Sequence, residues 1–196
     1  MEEITEKSFP PESWPPGFAT SIEMSRDIID RRFVLIDNSS SMLKDGGKRI
    51  VEGPQGVTME HCSRWEEVST AVTTMARTAN VFKCHTDIRL LNHGKHTPPP
   101  VVIGKTEDVT GKAALAVEML LATPPSGQTP LCREIRNVSE QLRNNQSSRS
   151  TATSGGIKQS LVIIVTDGEA SDGSLVAALR PLESLSVRVI VRMCTR

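Results

Sequence analysis

A chain of 196 residues has the length of one α/β domain with a full three-layer core rather than two domains. Lysine plus arginine equals aspartate plus glutamate at 23 each, and the chain has no tyrosine and four phenylalanines; neither a net field nor a base-stacking platform points to nucleic acid or an anionic membrane surface. Cys62, Cys84, Cys132 and Cys194 lie far apart without metal-ligand spacing, so reduced, buried, small apolar residues are expected there.

Residues 1–20 carry Pro10, Pro11, Pro15 and Pro16 around Trp14, which predicts an extended tail or arm, with the domain proper spanning 21–196. The acidic start, MEEITEKSFPPE, has no apolar segment of the kind a secretory signal needs. No apolar run approaches the roughly 18 to 20 residues of a membrane span. A soluble, cytoplasmic protein is the expectation. Residues 21–31 predict a short helix.

Arg32-Phe33-Val34-Leu35-Ile36-Asp37 is a short continuous apolar run leading into a carboxylate, the pattern of a buried parallel strand. Ser39 and Ser41 follow two and four positions beyond the Asp. Ligands of open α/β sheets bind where such strands end, and carboxylate and hydroxyl oxygens are the donors that Mg²⁺, Mn²⁺ and Ca²⁺ prefer. Residues 42–62, punctuated by Gly46, Gly47, Gly53, Pro54 and Gly56, read as a long mobile loop over that end.

Ser63-Arg64-Trp65-Glu66 is a capping box, and Trp65, Val68, Val72, Met75, Ala76 and Ala79 recur at helical steps behind it. A strand is expected near 86–92. Another, 101–103, follows three prolines that suit a sheet edge. Residues 110–122 predict a helix apolar nearly all round and therefore buried. Gly-Gln-Thr129-Pro130-Leu131 opens a further helix with Leu131, Ile135, Val138 and Leu142 inward. Residues 143–159 are polar and predict a second mobile loop. Leu161 to Val165 then repeats the opening pattern, an apolar strand running into Thr166, Asp167 and Gly168. A helix over 174–185, bent or split at Pro181, and a last strand, 187–193, complete the chain.

Asp37-x-Ser39-x-Ser41, then Gly127-x-Thr129-Pro130-Leu131, then a strand ending Thr166-Asp167-Gly168, in this order, resembles the von Willebrand factor type A (VWA) domain and its metal-ion-dependent adhesion site. The likeness covers residues 30–196. It implies a Rossmann-like three-layer sandwich: a mostly parallel central sheet with an antiparallel edge strand and helices on both faces. It further implies a Mg²⁺, Mn²⁺ or Ca²⁺ ion held by Asp37, Ser39, Ser41, Thr129 and Asp167, and a protein partner that presents an Asp or Glu to it. The family pattern continues with another strand and a last helix, which this chain, ending at Cys194-Thr195-Arg196, is expected to lack.

Three functions compete at this level. The first is a cation-dependent binding module without enzymatic activity. The second is a metal-assisted hydrolase or phosphoryl-transfer enzyme, for which His61 or Glu169 would have to be the base. The third is a metal-independent scaffold that binds through its surface and proline-rich arm. Glu169, Asp172 and His61 are read as solvated bystanders. Gly104-Lys105-Thr106 is no phosphate loop, because Pro99 stands where the first glycine is required.

Overall fold

The structure, a computed structural model, describes residues 15, 17–53, 56–93, 98–104, 112–149 and 158–194, with only the backbone of 52–53 and 146–149. Helix α1 (Phe18–Ile28) leads into β1 (Ile29–Ile36), and a 3-10 turn, Ser40–Leu43, precedes the hairpin β2 (Asp45–Gly53) and β3 (Gly56–Ser63). Helix α2 (Arg64–Val81), β4 (Thr86–Leu90), β5 (Val101–Ile103), α3 (Lys112–Leu121) and α4 (Leu131–Arg149) follow. The chain then runs through β6 (Gln159–Thr166), α5 (Leu175–Leu179), a 3-10 turn at Arg180–Ser184 and β7 (Val187–Met193).

Five strands form one sheet in the order β5-β4-β1-β6-β7. β1 pairs in parallel with β4 and β6, β6 in parallel with β7, and β5 antiparallel with β4. The expected α/β architecture is therefore present: a mostly parallel sheet with an antiparallel edge and helices on both faces. Because side chains alternate along each strand, β1 feeds both layers. Val34 and Ile36 pack with Trp65, Val68, Val72 and Ala76 of α2 and Leu120 of α3. Phe33 and Leu35 pack with Leu131, Ile135 and Val138 of α4 and with Ala178 of α5. Both faces of β4 are covered as well, so its two charged residues are buried in a network. The Asp87 carboxylate accepts from Arg89 at 2.7 and 2.8 Å and from Arg31 at 3.0 Å, and Arg89 also reaches Gln141. Both guanidiniums lie over the Phe33 ring, at 4.7 and 5.4 Å from its centroid.

The Ser63 capping box forms as expected, with Glu66 N–H donating to Ser63 Oγ and Ser63 N–H to Glu66 Oε2. All four cysteines are free and buried. Four expectations are corrected. The stretch 42–62, expected as a loop, carries the end of a 3-10 turn and then two paired antiparallel strands, Asp45–Gly53 and Gly56–Ser63. Residues 143–149 continue α4, while 150–157 lie outside the described residues. The helix predicted over 110–122 exposes Leu115 and Met119; Val117, Leu120 and Leu121 are buried on its core face, with Ala113 and Ala116 partly buried beside them. Helix α1 begins at Phe18, inside the stretch read as a tail, whose first fourteen residues, Trp14 included, lie outside the described region.

Candidate functional site at the carboxyl ends of β1 and β6

The register of the central strands builds the site. Ile36 of β1 pairs with Val165 of β6, so Asp37 leaves the sheet beside Thr166, one residue before Asp167. Asp37 N–H donates to Val165 O at 2.8 Å, continuing the ladder past the strand end. The Asp37 carboxylate is fully buried and held on both oxygens. Ser39 N–H donates to Oδ1 at 2.9 Å, an Asx turn, and the Thr166 hydroxyl donates to Oδ2 at 2.6 Å.

From that turn the hydroxyls run to the second carboxylate. Ser39 Oγ and Ser41 Oγ are 2.9 Å apart, and Ser41 Oγ donates to Asp167 Oδ1 at 2.8 Å. A serine hydroxyl has one proton. Ser41 gives its proton to Asp167, so Ser39 donates to Ser41, and the relay runs Ser39 to Ser41 to Asp167. The other oxygen of Asp167 accepts from the guanidinium of Arg64, the first residue of α2. The Asp167 side chain is 1 % exposed and that of Arg64 19 %.

Of the five residues singled out in the sequence, four are thus joined by short links: Asp37 to Ser39 through the backbone, then Ser39, Ser41 and Asp167 through side chains. Thr129 is buried on the loop that crosses beside them and is bound to a different partner. Its N–H donates to Ser171 Oγ at 3.1 Å, and its carbonyl accepts from Ser171 N–H at 2.9 Å. That loop is clasped to the β1 turn. Ser40 N–H donates to Gly127 O, Ser126 N–H to Asn38 O at 2.7 Å, and Asn92 Nδ2 to Gln128 O at 2.6 Å. Asn38 and Asn92 close the clasp, Asn92 N–H donating to Asn38 Oδ1 at 2.8 Å.

The sequence reading missed Arg64, Thr166, Asn38 and Asn92. Thr166 had a signal, a hydroxyl at the end of an otherwise apolar strand; the two Asn partners, 54 residues apart, had none. Asp172 is corrected from bystander to helix cap. Its carboxylate accepts from the N–H groups of Cys132 at 3.0 Å and Arg133 at 2.8 Å, holding the start of α4 beside Thr129. Burial pushes that carboxyl up, but these backbone donors outweigh it and hold its pKa below the ordinary value. His61 is exposed on β3 opposite Lys48, and Glu169 is exposed past the end of β6.

Chemically the site offers two carboxylates and three hydroxyls, with no nitrogen or sulfur donor. Among the described residues, no three or more His, Cys, Asp or Glu side chains gather as a metal-binding group, so a cation here must rely on hydroxyl oxygens. Such a donor set fits a hard divalent ion and suits neither zinc nor copper.

Fold and site together define a three-layer α/β protein with an oxygen-rich centre at the carboxyl ends of adjacent parallel strands. No protein-family profile matches the chain, and no curated protein sequence does. Among solved structures, similarity is found to an aerotolerance-related membrane protein from Bacteroides fragilis, at 15% identity and a TM-score of 0.45, covering 82% of this chain. A conserved hypothetical protein, BatB from Bacteroides thetaiotaomicron, gives 18% identity and a TM-score of 0.43 over 82% of this chain. The chain spans 65% and 64% of the lengths of those two proteins. No described helix is long and apolar enough to cross a membrane.

Proposed function

We propose that this chain is a VWA-type, divalent-cation-dependent protein-binding module that captures an acidic side chain, Asp or Glu, of a partner protein. The observation that carries the reading is the hydroxyl relay from Ser39 through Ser41 to Asp167, set beside the buried Asp37 carboxylate. Asp37, Ser39, Ser41, Thr129 and Asp167 are the residues that would hold Mg²⁺, Mn²⁺ or Ca²⁺. When bound, the ion supplies positive charge and a coordination position that a partner's carboxylate can take.

The chain's own residues prepare for this. Thr166 and the Ser39 amide fix the Asp37 carboxylate, so little rotamer entropy remains to be lost on binding. The Asn38–Asn92 clasp and the Asp172 cap position the Thr129 loop against the same turn. Gly168, exposed beside Asp167, has no neighbouring atom within 4 Å of where a Cβ would lie, which leaves that side open to a partner. Binding is favoured over catalysis because both carboxylates of the hydrogen-bonded set are already engaged on both oxygens, and neither His61 nor Glu169 joins it among the described residues.

Titration calorimetry with MgCl₂ and MnCl₂ tests the reading. Saturable one-site binding is expected for the wild type and its loss in Asp37→Asn, which keeps the shape of the side chain. Absence of heat in the wild type removes the cation from the account. Partner capture that persists in a chelator favours a metal-independent scaffold instead.

A further inference from the structure

Arg64 occupies a position that no part of the cation reading requires. It follows the last residue of the β2–β3 hairpin and opens α2, and its N–H donates to Lys44 O at 3.1 Å beside the start of that hairpin. Its guanidinium reaches across to Asp167 Oδ2. With Asp37 and Asp167 ionised, the site carries two negative charges against the one positive charge of Arg64.

We infer that Arg64 is the resident counter-cation of this site, and that a divalent ion must take Asp167 from it. The inference rests on the proposed cation site and adds what competes for it. Three observations single out this contact as the one that yields. The two oxygens of Asp37 are held by a backbone amide, which cannot leave without disturbing the turn, and by a buried, uncharged threonine hydroxyl, which has only its proton to turn away. Asp167 Oδ1 is held by Ser41, itself a proposed cation ligand, which needs only to turn its proton away. Arg64 alone holds its carboxylate oxygen from the end of a long side chain, and its fit is imperfect: Arg64 Nε is buried with no hydrogen-bond partner among the described residues. A guanidinium whose donor is unsatisfied there gains by swinging toward water.

Displacement also has a structural reach. The Arg64–Asp167 pair ties the base of the hairpin and the first turn of α2 to the end of β6. Exchange of the guanidinium for a divalent ion releases that tie, so site occupancy and the hairpin's attachment are coupled through one side chain.

The test compares MnCl₂ affinity by titration calorimetry in the wild type, Arg64→Met and Arg64→Lys, with thermal melting in buffer and at saturating MnCl₂. Removing the competing positive charge is expected to tighten Mn²⁺ binding in Arg64→Met by about tenfold or more, whereas Arg64→Lys stays near the wild type. Without metal, Arg64→Met should melt below the wild type, and MnCl₂ should raise its melting temperature more. Should Arg64→Met fold poorly, Arg64→Gln carries the same comparison. Equal or weaker Mn²⁺ binding on removal of the charge overturns the inference and leaves the cation site standing. Binding by none of the proteins removes both together.

Discussion

At the scale of single residues, the site turns on how each oxygen near Asp37 is employed. Asp37 and Asp167 are legible in the sequence because an apolar strand ending in a carboxylate is a local pattern, and Ser39 and Ser41 because they stand within the same turn. Arg64 was not, since its partner lies 103 residues away and nothing about a helix-opening arginine announces a carboxylate across the sheet. Asp172 shows the same limit. A loop acid reads as solvated until the start of α4 is found against it. Its pKa is held below the ordinary value, so the stabilisation is fully present above the unfolded carboxylate range and is lost as pH falls through the lower folded value. Asp172→Ala should therefore lower stability by about 0.5 kcal/mol at neutral pH, the low end for a lost helix cap because this carboxylate is exposed and screened, and the difference should shrink under acid. Urea denaturation at pH 7 and at about pH 2.5, well below the ordinary carboxylate range, checks both the size and the direction.

At the scale of elements, periodicity served where one face was buried and failed where none was. The inner faces of α2 and α4 stand where the three- and four-residue spacing puts them, because a helix lying on a sheet must bury one stripe. The glycines of the hairpin β2–β3 have the pattern of loop punctuation, yet they mark its two ends. Gly53 and Gly56 pair across the tip, and Gly47 sits at the irregularity near the base, where a Cβ would lie 2.3 Å from Ser63 O. Among the described side chains of the hairpin only Cys62 and Gly47 are buried, so no buried apolar stripe betrayed the strands. Gly47→Ala should force the base of the hairpin apart and cost about 1–3 kcal/mol, the range for overpacking; its denaturation midpoint against the wild type measures this. The end of α4 escapes the sequence pattern for the related reason that polar residues are tolerated in a helix once packing up to Leu142 has set its direction.

At the scale of the whole molecule, the fold class was readable because two continuous apolar strands, each ending in an aspartate, must lie centrally in a sheet covered on both faces. The pairing of β1 with both β4 and β6 is that centre. Strand β7 behaves differently. It pairs with β6, yet Val189, Ile190, Val191 and Met193 remain exposed, so its alternation of branched residues with arginine reports a strand and says little about burial. The pairing of the two carboxylates depends on the central register, since that is what brings Asp37 and Asp167 to one end of the sheet. The site's claimed chemistry is tested most directly by a crystal structure of the protein soaked in MnCl₂, with anomalous data collected near the manganese edge. A single anomalous peak within about 2.0–2.4 Å of the Ser39 and Ser41 hydroxyls, between Asp37 and Asp167, is the predicted result. A map with no peak there, and Arg64 still paired with Asp167 at saturating manganese, would contradict the account.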